Sequence, residues 1–117
     1  NSEIINRHSH WYFDTSDINR HFTSVVYYED KNEYLKHSDT HRFTAVTYFY
    51  KLPKVFSGGN LTFPDYNVDI ECLNNRTVIF PSMIPHASTP VIMEEQYKNQ
   101  KNGKFTITQW LEHDINQ

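Results

Sequence analysis

Residues 34–39 of the chain are Tyr34-Leu35-Lys36-His37-Ser38-Asp39, and the rest of the sequence is interpreted outward from them. The surrounding residues are typical of a β-strand, in which positions i and i+2 point to the same side. This spacing predicts that the His37 imidazole and the Asp39 carboxylate face one common space. An isolated His-x-Asp tripeptide is usually two solvated side chains, so the remaining sequence decides what the pair means.

A histidine and a carboxylate on one face are two of the three ligands of the 2-His-1-carboxylate metal site, which leaves coordination positions open. The third ligand would be a distant histidine, and His86 is a candidate on a later strand. His41 has the same parity as His37 and Asp39 and competes with His37 for the metal. We favour His37, because residues 40–42 are expected to turn the chain and to swing His41 toward solvent.

Composition narrows the class of protein. The chain has 117 residues, enough for a single domain with one core. Its eight Tyr, eight Phe and only three Gly favour a folded, β-rich protein. The net charge of −3 excludes an electrostatic footprint for nucleic acid, and no apolar run is long enough to span a membrane. The single cysteine, Cys72, excludes an internal disulfide and favours a reducing, cytoplasmic setting, with its thiol a small buried hydrophobe.

Alternating apolar residues and turn residues predict a mainly all-β fold. We expect one domain over residues 1–117, with an irregular arm at 1–20 and a β core at about 21–111. The arm contains His8-x-His10, either a metal-binding pair or, as we favour, solvated histidines. Residues 94–103 have the polar composition of a flexible loop. The predicted strands and turns are 22–28, 34–39, 43–50, a strand entered through Gly58-Gly59, a hairpin of 68–73 with 77–80, an extended stretch at 84–92, and 104–111.

The last strand has an unusual inner face. Period two places Lys104, Thr106, Thr108 and Trp110 on one side, an odd set for a dry core. A lysine beside two hydroxyls can bind a carboxylate through charge-assisted hydrogen bonds of about 1.5–3 kcal/mol each. A solvated lysine at the start of the strand is the alternative, and this strand alone does not separate the two.

The opposite faces of two strands are apolar and are expected to be incompletely covered by the chain. Such an exposed face would normally find a partner subunit or a further N-terminal segment, so a homo-oligomer is expected. The side chains of this face belong to Phe43, Ala45, Phe49, Phe105, Ile107 and Leu111.

Six motifs in order carry a resemblance to a known family. They are His37-x-Asp39, Thr44-Ala-Val-Thr-Tyr48-Phe, Gly58-Gly59-x-Leu61-x-Phe63, Thr77-Val-Ile-Phe80-Pro, His86-x-x-x-Pro90-Val and Lys104-x-x-x-Thr108-x-Trp110. Between about residues 27 and 111, their order and spacing resemble the double-stranded β-helix (jelly-roll) core of the 2-oxoglutarate/Fe(II)-dependent dioxygenases. The prolyl 4-hydroxylase-like branch is the most similar.

The resemblance implies roles for particular residues. His37, Asp39 and His86 would bind Fe(II), and Lys104 would pair with the distal carboxylate of 2-oxoglutarate. Much of the family has arginine at the position of this lysine. The remaining matched positions are Tyr48 and Thr108, which would help to hold that carboxylate, and Tyr27, which would lie near the co-substrate or the prime substrate.

The reaction implied by the resemblance uses Fe(II), 2-oxoglutarate and O₂, with ascorbate as a further expected requirement. It would hydroxylate a C–H bond of a peptide or small molecule, with peptidyl proline as the first candidate, and would release succinate and CO₂. A non-catalytic jelly-roll module that binds a metal or a sugar is the alternative. The nucleic-acid demethylase branch is disfavoured, because its pattern has a second arginine where this chain has Trp110. We therefore expect neither nucleic acid nor a membrane as a partner.

Overall fold

The computed structural model describes residues 20–112, and this part of the chain is built mainly of short and medium β-strands. This confirms the mainly all-β expectation. Residues 1–19 of the predicted arm, with His8 and His10, lie outside the described residues. The elements are β1 (Arg20–Tyr28), β2 (Tyr34–His37), β3 (Phe43–Phe49), β4 (Phe56–Gly58), β5 (Leu61–Phe63), a 3-10 helix (Pro64–Tyr66), β6 (Val68–Ile70), β7 (Thr77–Pro81), β8 (His86–Ser88), β9 (Val91–Met93), a 3-10 helix (Glu95–Tyr97) and β10 (Lys104–Glu112).

Two antiparallel sheets of four strands form the body of the fold. The larger sheet has the order β1-β10-β3-β7 and the smaller has the order β2-β8-β5-β6, while β4 pairs separately with β9. A single main core lies between the sheets, because buried residues of both belong to one packed cluster, among them Tyr48 and Phe80 from one and Leu61 and Phe63 from the other. This is the jelly-roll arrangement. Within residues 20–112, no helix is long and apolar enough to cross a membrane.

The period-two pattern of the central strands is confirmed. In the pairing of β10 with β3, Thr106 lies opposite Tyr48 and Thr108 opposite Val46, and all four side chains face the space between the sheets. The other side of these strands is partly covered. Phe43 and Ala45 are buried, and the other four residues of the outer face are half-buried. Incomplete cover of this face and the homo-oligomer both stay predictions.

The hairpin expected of residues 68–73 with 77–80 is also wrong. Strand β6 pairs with β5 in the smaller sheet, whereas β7 pairs with β3 in the larger one. A turn does occur at Asn74-Asn75, with Asn75 at φ 64° and its N–H donating to the Tyr48 carbonyl at 2.7 Å. The turn carries the chain from one sheet to the other. The sequence signals the turn but does not identify which strands become partners.

The Gly58-Gly59 pair meets both of the requirements expected of it. The two glycines have φ values of 72° and 68°, a region that residues with a Cβ seldom adopt. A Cβ on Gly58 would overlap the Pro90 carbonyl oxygen, which accepts a hydrogen bond from the Gly59 N–H at 3.1 Å. The pair thus permits a close backbone approach between the end of β4 and the start of β9.

Residues 94–103 form a loop that is tied to the turn between β1 and β2. Lys98 Nζ lies 3.2 Å from Asp30 Oδ2, and the Asn99 N–H donates to Glu29 Oε2 at 2.9 Å. The hydrogen bond from Tyr27 and that from Asn99 both lower the pKa of Glu29, which keeps this carboxylate charged. No residue of this loop lines the cavity between the sheets.

Candidate active site

A cavity of about 240 Å³ lies between the two four-stranded sheets. Its wall is formed by side chains of β1, β3 and β10 on one side and of β2, β5 and β8 on the other. The cavity contains two chemically different groups. One is the cluster of His37, Asp39 and His86, and the other is the buried ammonium of Lys104.

The three side chains of the cluster converge closely. Their potential ligand atoms all lie within 4.8 Å of one another. His37 Nε2 is 3.8 Å from Asp39 Oδ1, and His86 Nε2 is 3.3 Å from Asp39 Oδ2. The two histidines come together because His37 pairs with His86 across β2 and β8.

Hydrogen bonds hold both imidazoles with Nε2 toward the cluster. His37 Nδ1 donates to the Leu35 carbonyl at 2.8 Å, and His86 Nδ1 donates to the Ile84 carbonyl at 2.7 Å. A proton held on Nδ1 leaves the Nε2 lone pair available to a metal. Burial lowers the pKa of His86, which favours this neutral form. Phe80 packs edge-on against the His86 ring at 4.7 Å between centroids.

Asp39 lies in the cluster as expected, but a different structural feature positions it. Strand β2 ends at His37, and its pairing with β8 is irregular, so strand parity does not position Asp39. Instead, the Asp39 N–H donates to the Ser82 carbonyl at 2.9 Å and thereby fixes the bend after β2. Its Oδ2 accepts from Trp110 Nε1 at 3.2 Å and, at 3.5 Å, from Thr44 Oγ1.

The chemistry of this donor set fits a divalent iron. Two neutral imidazole nitrogens and one carboxylate are the ligands of the facial triad that non-haem Fe(II) enzymes use. The hydrogen bonds to each ligand are the outer interactions that normally orient such side chains. His37, Asp39 and His86 therefore form a potential iron site.

His41 does not join this cluster, although it does not point into solvent as expected. Its side chain is only 29% exposed and lies against the rings of Trp110 and Phe22, with centroids at 5.8 and 5.5 Å. Its Nε2 is 3.9 Å from Glu112 Oε2. The bend of residues 40–42 turned the imidazole onto the flank of the sheet, so packing rather than solvation separates it from the metal ligands.

Lys104 lies at a buried position with 1% of its surface exposed. Its Nζ donates to the Gly59 carbonyl at 2.9 Å and to Ser88 Oγ at 2.5 Å, and lies 4.1 Å from the centre of the Tyr28 ring. Burial lowers its pKa to about 8. No carboxylate within residues 20–112 pairs with it, and a buried unpaired cation is costly. The cavity therefore fits an anionic ligand at this position.

The remaining residues expected at the site divide into two groups. Tyr48, which is 2% exposed, and Thr108 both line the cavity. Tyr27 does not, because it lies on the opposite side of β1. Its hydroxyl donates to Glu29 Oε1 at 2.5 Å and accepts from the Gly103 N–H at 2.9 Å. Burial and the bond to Glu29 raise the pKa of Tyr27 to about 12.

Among the residues of the cavity wall that sequence reasoning missed, three lie against the lysine or the histidines. Tyr28 lines the cavity in place of its neighbour Tyr27, and Tyr34 stacks on His37 with ring centroids 3.9 Å apart. Ser88 is the third, and the sequence did carry a signal for it, because a residue two positions after His86 on a strand shares its face.

A jelly-roll core that joins a His-Asp-His cluster to a buried lysine in one cavity defines a non-haem iron oxygenase with an acidic co-substrate. Comparison with protein families agrees. The family described as the 2OG-Fe(II) oxygenase superfamily matches residues 7–112, and the chain belongs to this superfamily. No curated protein matches the chain. Membership makes the protein an oxygenase that uses Fe(II), 2-oxoglutarate and O₂, and it favours the enzyme over the non-catalytic binding module.

Proposed function

We propose that the enzyme hydroxylates an aliphatic C–H bond of a peptide, with peptidyl proline or a similarly small residue as the target. The balanced reaction converts the substrate R–H, 2-oxoglutarate and O₂ into R–OH, succinate and CO₂. One oxygen atom enters succinate and the other enters the alcohol. The bound iron supplies the oxidising chemistry, while the protein supplies ligands, orientation and a shielded pocket.

Different residues of the cavity have different roles in this reaction. His37, Asp39 and His86 hold the metal, and Lys104 pairs with the distal carboxylate of 2-oxoglutarate. The lysine is buried between the two sheets, where the lower local dielectric constant strengthens its attraction for an anion. Tyr48 and Thr108 line the same cavity and supply hydroxyl groups to it.

The observation that carries the choice of substrate is a small cavity with an apolar, accessible rim. The volume of about 240 Å³ is below the range of about 300–1,000 Å³ found for drug-sized ligands. Once the co-substrate is inside, only a small group can enter. Tyr34 and Val26 line the cavity and are 52% and 42% exposed, which places large apolar surfaces where an aliphatic side chain would approach. The net charge of −3 disfavours a nucleic acid.

The test is succinate formation from 2-oxoglutarate with a panel of candidate substrates. Prolyl peptides should raise succinate output above the level without substrate, and the peptide should gain one oxygen atom by mass spectrometry. The same peptides with alanine in place of proline, free proline and oligonucleotides serve as comparisons. Parallel reactions with and without ascorbate test the predicted ascorbate requirement. Stimulation by another member of the panel and none by prolyl peptides would overturn the choice of substrate.

A pair of variants tests the rim itself. Tyr34→Ala should raise the peptide KM, because it removes apolar surface from the mouth of the cavity. Leu52→Ala is the matched control, since Leu52 is 77% exposed but does not line the cavity. Equal effects of the two changes on the peptide KM would show that this rim is not where the peptide binds.

A further inference from the structure

Ser88 lies beside the buried lysine in the cavity wall. It is on β8, two residues after His86, and its Oγ accepts a hydrogen bond from Lys104 Nζ at 2.5 Å. The residue is half-buried and lines the cavity. One short strand thus presents His86 toward the metal cluster and Ser88 toward the lysine.

The hydrogen bonds of the pair leave two donors unused. An ammonium has three N–H donors, and Lys104 gives two of them to the Gly59 carbonyl and Ser88 Oγ. Because Ser88 Oγ accepts from the lysine, its own O–H is left to donate. Within residues 20–112, no oxygen or nitrogen atom accepts from that O–H or from the third N–H of the lysine, whose Nζ also lies 4.1 Å from the centre of the Tyr28 ring. Both groups lie in the wall of a cavity that already fits an anion.

We propose that Ser88 and Lys104 together bind the distal carboxylate of 2-oxoglutarate, with the hydroxyl donating to one oxygen and the ammonium to the other. A lysine alone is a point charge, whereas an arginine offers two parallel donors to a carboxylate. The serine supplies the second donor that the lysine lacks. The Gly59 carbonyl holds the lysine in place by accepting from Nζ at 2.9 Å. Glycine at this position also leaves room for the lysine side chain, since a Cβ would lie 3.3 Å from Lys104 Cδ. This inference rests on membership of the superfamily and is independent of the prime substrate.

The first experiment measures binding rather than turnover. 2-Oxoglutarate is titrated by calorimetry into anaerobic, Fe(II)-loaded protein without prime substrate. Ser88→Ala should weaken binding by about 10-fold to 100-fold, the range for a hydrogen bond to a charged group. Ser88→Thr keeps the hydroxyl and should restore most of the affinity. Ser57→Ala is the control, because Ser57 is exposed on β4 outside this cavity. Unchanged affinity in Ser88→Ala would overturn the proposal.

A second ligand isolates the distal carboxylate. 2-Oxopentanoate has the same carbon chain and the same 2-oxo acid group but ends in a methyl group. Ser88→Ala should bind it as the wild type does, which also shows that the variant is folded and holds metal. An equal loss for both ligands would place the effect elsewhere in the cavity and overturn the assigned contact.

A double-mutant cycle separates direct contact from an effect through the lysine. Lys104→Met removes the charge but keeps much of the volume. If Ser88 touches the carboxylate, Ser88→Ala should weaken 2-oxoglutarate binding further in the Lys104→Met background. No further loss would show that the serine only orients the lysine, which would overturn the two-donor site. These titrations contain no peptide, so their failure and that of the proposed substrate are distinguishable.

Discussion

Lys104 carries a charge that no carboxylate among residues 20–112 balances, and this gives the residue two opposing preferences. Burial favours the neutral amine and lowers its pKa to about 8, well below the ordinary value of 10.5. A bound carboxylate favours the charged ammonium instead. Binding of an anion in the cavity should therefore be coupled to the protonation of this lysine.

The first prediction is a pH dependence of co-substrate binding. The free protein loses the Lys104 proton as the pH rises through about 8, so 2-oxoglutarate affinity should be steady below that pH and fall above it. Linkage of one proton limits the loss to about tenfold per pH unit. Calorimetry from about pH 7 to 9.5 measures it. 2-Oxopentanoate is the reference, and a parallel loss of its affinity would assign the titration to another group.

The second prediction concerns the metal ligands. His37→Ala, Asp39→Ala and His86→Ala should each abolish Fe(II)-dependent succinate formation, because each removes one of the three converging donors. His41→Ala should retain most of the activity, because its ring packs on Trp110 outside the cluster. Succinate assays and metal titrations on the folded variants measure both properties. An inactive His41→Ala beside an active His37→Ala would reverse our assignment.

At the scale of elements, strand β10 serves both parts of the site. Lys104 and Trp110 lie on the same face and are six residues apart, a separation of about 20 Å along an extended strand. The first presents its ammonium to the anion position, and the second donates from its indole to the Asp39 carboxylate. One strand thus supports both the proposed co-substrate position and the potential metal site.

The third prediction separates these two contributions of β10. Trp110→Phe keeps an aromatic ring but removes the donor to Asp39, so Fe(II) affinity should fall by about 10-fold to 100-fold, as for other outer partners of metal ligands. Tyr27→Phe is the control on the neighbouring strand. It removes a hydroxyl bonded outside the cavity, so it should leave metal affinity unchanged and lower only the melting temperature. Equal metal affinities of Trp110→Phe and wild type would count against a positioning role.

Strands such as β1 and β10 could be located from the sequence, but the face of a strand that points inward could be predicted only where its two faces differ in composition. The mixture of a lysine, two threonines and a tryptophan at period two correctly placed one face of β10 in the cavity. Strand β1 contains two pairs of identical residues, Val25-Val26 and Tyr27-Tyr28. Each face of the strand therefore has one valine and one tyrosine from these pairs, and the sequence does not show which face points inward. Tyr27 was assigned from the family resemblance, and the pattern of β1 could not show that its neighbour Tyr28 is the one that lines the cavity. The predicted hairpin was wrong for a related reason. Turn residues are recognised from a short stretch of sequence, whereas strand pairing depends on residues that are far apart in the chain.

Local sequence patterns were also insufficient to explain how every residue of the candidate site is positioned. His37 and His86 could be proposed from their motifs, and the structure brings them together across β2 and β8. The reason given for Asp39 was wrong, because a bend held by the Ser82 carbonyl, rather than strand parity, positions it. That contact joins residues far apart in the sequence, so no local pattern could reveal it.

At the scale of the whole molecule, the three residues of the potential iron site come from two distant segments that only folding brings together. A metal should bind the native state far better than the unfolded chain and should stabilise it accordingly. The fourth prediction is that Mn(II), used in place of the oxidisable Fe(II), raises the melting temperature. At a concentration 100 times Kd the gain in unfolding free energy should be about 2.7 kcal/mol.

Differential scanning calorimetry with increasing Mn(II) measures this stabilisation. Asp39→Ala should show little or no shift at the same concentrations, because it lacks the only carboxylate of the cluster. An equal shift in Asp39→Ala would indicate that the metal binds at another place on the molecule.

The position of β10 in the larger sheet also determines when the enzyme can mature in the cell. This strand follows all other described strands in the sequence, yet it lies between β1 and β3 and pairs with both. A ribosome releases β1 first, and among residues 20–112 that strand has no partner other than β10. All three residues of the potential iron site are synthesised before Lys104 and Trp110 exist. The nascent chain therefore contains the proposed iron ligands before it has a closed cavity, and assembly of a competent enzyme must wait until translation of β10 is complete.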